Sequence, residues 1–326
     1  MSKNVICLGN ALIDAIVQLE TDNTLSELDL PKGGMILVDK DVFDKIKLQA
    51  RNLNYTLQTG GSAANTANGI ANLGIGAGYI GMVGEDDFGE FYINDLLSNN
   101  IKPQVFKSKF SSSGTAIAFV SKDGERTFAT YLGAAIELNS KLLKEEFFNN
   151  YHILHIEGYL IVNHELIKQA ILLAKQNNLL ISLDLASYNV VEENIEFLKQ
   201  ISKDVDIIFA NEQEAYAFSG EKDAKKALDI IASYCKIAVV KIGKDGSLIK
   251  QGDKTIRISS KEKLCIDTTG AGDMYASGFL SGLCLDKTLE DCGKMGGILA
   301  EEVIGVYGAK IPKDAWQRIN EEINNL

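Results

Sequence analysis

Proline, histidine and tryptophan are scarce in this chain of 326 residues, which holds three, three and one of them. With prolines only at Pro31, Pro103 and Pro312, and no Ser/Gly-rich linker, repeat or charge block, nothing marks a boundary between domains. One principal domain is expected over residues 1–326. The five cysteines (Cys7, Cys235, Cys265, Cys284, Cys292) are odd in number and form no CxxC pair. That excludes a disulfide framework and suits reduced thiols in an intracellular chain. No run reaches about 18 consecutive apolar residues, so no membrane span is expected. The opening "MSKNVICLGN" lacks a basic segment followed by a long apolar one, so no secretory leader is expected and a cytoplasmic location is.

Several chemistries are excluded by missing motifs. There is no G-x-x-x-x-G-K-[ST] phosphate loop, no protein-kinase set, no HExxH and no G-x-S-x-G. His152 and His155 in "YHILHI" have no companion ligands and are read as core histidines. "GAGYIG" (76–81) fits G-x-G-x-x-G but runs into a β-type stretch, whereas dinucleotide binding needs the motif to open a helix. The formal charge of −11 argues against nucleic acid as a partner. Small phosphate ligands remain open, because backbone amides, a local lysine and a bridging metal can hold them.

What the chain does contain is globular: 46% hydrophobic and 24% charged residues, enough for a core without disulfide staples. Short runs rich in branched residues, "VICLG" (5–9), "YHILHI" (151–156), "LLISLDL" (179–185), "VDIIFA" (205–210) and "KIAVVKIG" (236–243), alternate with helical patterns such as "HELIKQAILLAKQNN". This alternation predicts an α/β fold with a mainly parallel central sheet. Three segments break the pattern: 10–20, 33–39 and 112–134, the last with Asp-Gly in "SKDGE" as a hairpin turn signal. They are expected to form a small second sheet, read as a lid or as an edge decoration.

"DTTGAGDMYASGFLSGL" is the most informative stretch. Gly270 and Gly272 let the backbone approach a ligand, and the unbonded amides of a helix start attract anions. Asp273 directly after them either caps the helix or removes a proton from an acceptor while the amides hold developing charge. In "QTGGSAANTANGIANLG", Gly60 and Gly61 open a second helix carrying Ser62 and Asn65, which suits hydroxyl binding or a tight turn. Asp14, in an otherwise apolar run, either meets ligand hydroxyls or points to solvent. Asn211 and Glu214 in "NEQEA" either organise the water shell of Mg2+ or form an ordinary helix start. Lys241, Gly243 and Gly246 in "VVKIGKDGSLI" suit a nucleotide phosphate or a plain hairpin.

Taken together, "GGSAANTANGIANLG" and "DTTGAGDMYASGFLSGL" resemble the two signature regions of the PfkB, or ribokinase, family of small-molecule kinases. "GMVGEDDFGE", "SGTAIAFVSKDGERTF" and "NEQEA" follow in family order, so the resemblance covers nearly the whole chain. It implies a ribokinase-like three-layer α/β/α sandwich with a β-sheet lid, and transfer of the γ-phosphoryl of ATP, with Mg2+, to a primary hydroxyl. It casts Asp273 as catalytic base and Gly270, Ala271 and Gly272 as anion hole. On the nucleotide side it places Asn211, Glu214, Lys241, Gly243, Gly246 and Thr268. Asp267 and Thr269 match a monovalent-cation site, with K+ as candidate. The opening "GNALIDA" and "TYLGAA" resemble the adenosine-kinase branch, which places Asn10, Leu12, Asp14, Gly60, Gly61, Ser62, Asn65, Leu132 and Tyr159 at the acceptor. Adenosine or a related nucleoside is therefore the expected acceptor, with a sugar (ribose, fructose or 2-keto-3-deoxygluconate) as the alternative. A monomer or homodimer is expected.

Overall fold

The runs of branched residues fold as short strands because each is buried from both sides. In Val5–Leu8 (β1), Val5 and Cys7 enter one core cluster, Ile6 and Leu8 another, which is the two-residue alternation of a pleated strand. The computed structural model describes residues 3–33, 35–50, 55–122, 125–261 and 263–326. Continuing along the chain, the strands are Leu12–Gln18 (β2), Met35–Leu37 (β3), Tyr55–Gly60 (β4), Ala77–Gly84 (β5), Ile101–Ser108 (β6), Gly114–Val120 (β7) and Arg126–Tyr131 (β8). Ile153–Ile156 (β9), Leu180–Asp184 (β10), Ile207–Asn211 (β11), Ile237–Lys241 (β12), Ser247–Gln251 (β13) and Lys254–Ile258 (β14) complete them.

Nine strands form the main sheet in the order β14-β13-β12-β11-β10-β9-β1-β5-β6. Neighbours from β12 through β6 are parallel, and the hairpin β13–β14 adds an antiparallel edge. One face is covered by helices Ser62–Asn72, Asp87–Ser98, Ala271–Cys284 and Leu289–Val303, the other by His164–Gln176, Ile195–Ser202, Glu212–Ser219 and Ala224–Ile231. The chain leaves β1 towards β5 and β6, then returns to the other side of β1 to lay down β9 through β12. The reversal between β1 and β9 opens a crevice at the carboxyl ends of the strands, where open α/β sheets bind ligands.

The second sheet has the order β3-β8-β7-β2-β4. The three segments expected to lie outside the main sheet supply β2, β3, β7 and β8; β4 comes from 55–60, which was not among them. The Asp123-Gly124 turn and Gly34 lie outside the described residues. Ala15 and Val17 of β2 face a small core with Leu25, Phe43 and Ile46, so Leu12, Asp14 and Ile16 share the opposite, half-exposed face. Asp14 thus avoids the burial its apolar neighbours suggested.

"GAGYIG" lies in β5 and its approach. Cβ atoms on Gly78 and Gly81 would meet Tyr151 Oη at 2.3 Å and the Tyr79 ring at 2.6 Å. These glycines make room for tyrosines. His155 is fully buried with Nδ1 3.0 Å from Ser182 Oγ, and burial lowers its pKa to about 4. It is a neutral core histidine.

Candidate active site

Five adjacent parallel strands each deliver a polar side chain at the carboxyl end. Asn10 follows β1, Glu157 follows β9, and Asp184, Asn211 and Lys241 end β10, β11 and β12. Across the reversal of the sheet, Asn10 Nδ2 donates to Glu157 Oε1 at 2.9 Å, and the Ala63 amide donates to Glu157 Oε2 at 3.0 Å. Glu157 is 2% exposed. Burial pushes its pKa up to about 7 against these two bonds, and the charge of Asp273 adds to the rise.

Asp273 stands on the first turn of Ala271–Cys284, which packs closely on Ser62–Asn72. The close approach needs small residues: a Cβ on Gly69 would lie 2.5 Å from Ser277 Oγ. Ser277 Oγ in turn lies 2.9 Å from Thr66 O and 2.8 Å from Asp273 O, binding the two helices together. As a result Asp273 Oδ1 accepts from Ser62 Oγ at 2.7 Å and Oδ2 from Asn65 Nδ2 at 2.9 Å. The residue is partly exposed. Burial raises its pKa to about 6, opposed by the Asn65 and Ser62 bonds and by Lys241, with Asp184 adding to the rise. Asn65 Oδ1 is buried without a hydrogen-bond partner among the described residues, an acceptor that a ligand hydroxyl would satisfy.

On the other side of Asp273, Gly270 takes a left-handed conformation at φ 76° and starts the helix. The Ala271 amide donates to Thr268 O at 3.2 Å. The amides of Gly270, Gly272 and Asp273 donate to no backbone carbonyl among the described residues, so two of the three amides expected over 270–272 are unbonded to backbone. A Cβ on Gly272 would stand 3.1 Å from Lys241 Nζ, which places the ammonium beside these amides. Lys241 also donates to Asp184 Oδ2 at 2.9 Å. Burial works against its charge, but Asp184 and Glu214 outweigh it and raise its pKa.

Asn211 and Glu214 form a capping box. Glu214 N donates to Asn211 Oδ1 at 2.9 Å, and Asn211 N and Nδ2 donate to the Glu214 carboxylate at 2.7 and 2.6 Å. Burial, reinforced by Asp184, pushes Glu214 up to about 7. The pair therefore has a structural task, while its carboxylate remains beside Asp184 and Lys241.

In the turn before Ser62–Asn72, Gly61 has φ 91° and its hypothetical Cβ would lie 2.2 Å from Asn10 O; one on Gly60 would lie 2.4 Å from Asp14 Oδ2. Leu12 and Leu132 converge on Gly114, whose Cβ would stand 2.6 Å from both Leu12 Cδ2 and Leu132 O. Tyr159, 37% exposed, follows Glu157. Burial raises its pKa, with Glu157, Asp273, Asp184 and Glu214 adding to the rise. Gly243 and Gly246 turn the β12–β13 hairpin. Thr268 is exposed and acts through its carbonyl. Asp267 accepts from Thr269 N and Oγ1 at 3.0 and 2.7 Å and from Gly308 N at 2.7 Å, tying two loops together.

Glu157 and Asp184 were missing from the expected site. The signal for both was present: an acidic residue at the carboxyl end of an apolar strand, in "HILHIEG" and "LLISLDL". The same rule had singled out Asn211 and Lys241.

A helix start with unbonded amides beside a buried carboxylate, at the reversal of a parallel sheet, suits phosphoryl transfer to an alcohol group. The chain belongs to the PfkB family of carbohydrate kinases, whose family model matches residues 29–316. Two solved structures are similar over the full length. A probable sugar kinase of Rhizobium etli has 31% identity and a TM-score of 0.89, covering 100% of both chains. An adenosine kinase of Sinorhizobium meliloti has 31% identity and a TM-score of 0.87, covering 99% of both. A 5-dehydro-2-deoxygluconokinase of Listeria monocytogenes is 25% identical over 300 residues, 87% of this chain and 92% of that one. The fold is thus the ribokinase-like α/β sandwich, and the chain is a sugar or nucleoside kinase that uses ATP. Among the described residues no helix is long and apolar enough to cross a membrane.

Proposed function

We propose that the chain phosphorylates a primary hydroxyl of adenosine or a related nucleoside, with Asp273 as the general base. One observation carries this reading. The Asp273 carboxylate is held by Ser62 and Asn65 on its acceptor side, while unbonded amides and the Lys241 ammonium lie on its other side. Each carboxylate oxygen keeps a free lone pair beyond the bond it accepts, so Asp273 can take the acceptor's proton. The amides of Gly270, Gly272 and Asp273 and the Lys241 ammonium then bear charge on the transferred group. Asp14 and the unsatisfied Asn65 Oδ1 hold ribose hydroxyls. Leu12, Leu132 and Tyr159 are assigned to the base, and the similarity to an adenosine kinase supports the same acceptor.

The donor set bears on Mg2+. Among the described residues, no three His, Cys, Asp or Glu side chains converge on a common point. That fits an ion carried on nucleotide phosphates that keeps its waters, with Glu214 and Asp184 as outer partners. Such an ion neutralises charge on the phosphate oxygens. Asp267 and Thr269 remain candidates for K+ dependence, tested by exchanging K+ for Na+. The second sheet acts as a lid that excludes water from the acceptor. The enzyme works in the cytoplasm as a monomer or homodimer.

ADP release with adenosine, ribose, fructose, 2-keto-3-deoxygluconate and 5-dehydro-2-deoxygluconate tests the acceptor. Adenosine is expected to give the highest kcat/KM. A sugar outperforming it would overturn the nucleoside reading in favour of a sugar kinase, the reading supported by the names of the Rhizobium and Listeria relatives.

A further inference from the structure

One charged cluster plays no part in the chemistry above. Lys310 Nζ donates to Thr59 Oγ1 at 2.5 Å and to Asp95 Oδ2 at 2.8 Å, and the Thr59 hydroxyl also donates to Asp95. Thr59 is 5% exposed, and the Lys310 and Asp95 side chains 24% and 25%, so water screens this pair less than one on the open surface. Thr59 directly precedes Gly60 and Gly61. That turn lies under Asp14 and opens the helix whose Ser62 and Asn65 hold Asp273. Helix Asp87–Ser98, which supplies Asp95, also donates from Tyr92 Oη to Gly60 O at 3.2 Å.

The residues just before Lys310 reach the other half of the site. Gly308 N donates to Asp267 Oδ2 at 2.7 Å. Ala309 packs on Gly270, since a Cβ built there would lie 2.5 Å from Ala309 Cβ. Gln58 Oε1 lies 3.2 Å from where a Gly308 Cβ would stand. Residues 308–310 therefore touch both the acceptor turn (58–61) and the phosphoryl turn (267–272). We infer that Lys310 is a positioning residue that fixes the spacing of these two turns. In-line transfer depends on that spacing.

A merely stabilising ion pair predicts a different pattern, and three variants separate the two. Thr59→Val removes only the link to the acceptor turn and leaves Lys310 paired with Asp95. Lys310→Met removes both links, and Lys310→Arg keeps the charge. With adenosine as acceptor, Thr59→Val and Lys310→Met are each expected to lower kcat roughly 10- to 100-fold. Both should raise acceptor-independent ADP release relative to coupled release, and both should keep the acid limb of the pH profile near 6 that belongs to Asp273. Lys310→Arg should recover most of the rate. In Lys310→Met without ligands, amide exchange should quicken at 59–63 and 268–273 together. The inference is overturned if Thr59→Val keeps the wild-type kcat, if Lys310→Met loses rate only in proportion to its unfolded fraction, or if exchange quickens at one turn alone. It rests on the kinase reading but not on the acceptor. Should the wild type leave adenosine untouched, the nucleoside reading fails, and the same comparison is made with the sugar it does phosphorylate.

Discussion

Asp273 interacts with the charges of two other acids, Glu157 and Asp184, and Glu157 shares its upward pKa shift. Asp273→Asn is expected to lower kcat by roughly 10²- to 10⁴-fold with ligand dissociation constants nearly unchanged, measured by ADP release and calorimetry. The wild-type kcat/KM should fall as pH drops through about 6, where the base becomes protonated. The same upward shift disfavours the ionised, folded form, so the stability it brings is present below about 4 and lost as pH rises through 6. At pH 8 Asp273→Asn should therefore melt higher than the wild type, and a lower melting temperature would contradict the buried-charge argument. Asp273 was legible because its neighbours are glycines at a helix start, a local pattern. Glu157 was less so, since its importance comes from Asn10 and the Ala63 amide, both far away in sequence.

Among elements, the two glycine-opened helices are the most sensitive. Gly61→Ala forces a side chain into the left-handed region and against Asn10 O. It is expected to cost more than about 2 kcal/mol, read from the denaturation midpoint through the fluorescence of Trp316, the lone tryptophan, which is buried in the carboxyl-terminal cluster. Acceptor KM should rise with it. Asn211→Ala breaks the capping box and should cost about 1–2 kcal/mol with or without nucleotide; a loss seen only with Mg-ATP would show that the pair acts through the metal instead. The strands of the main sheet were readable because each is an apolar run buried on both faces. β4 was not: "YTLQTG" is exposed at its start and half-exposed in its middle, so its strand character comes from pairing with β2, which composition does not reveal.

For the whole molecule, acids with opposite shifts set the pH range of greatest stability. Glu157 and Glu214, raised to about 7, favour folding below about 4.5 and lose that contribution as pH climbs through 7. Glu302 runs the other way. The Arg318 and Lys263 bonds hold it down at about 2, so its stabilisation is present above about 4.5 and lost on acidification. The melting temperature at constant ionic strength should be higher at pH 6 than at pH 8, and a rise between those values would contradict the assignment. Contacts at this scale, such as Lys310 with Thr59 across 251 residues, leave no trace in local pattern. Topology has a consequence of its own. β2 to β4 are threaded between β1 and the helix that follows it, and β7 and β8 between β6 and β9. The second sheet thus grows from two connections of an otherwise complete α/β core. On the proposed reading, in which this sheet covers the acceptor, exchanging the two insertions for a relative's should change the clientele while leaving the phosphate-handling engine in place.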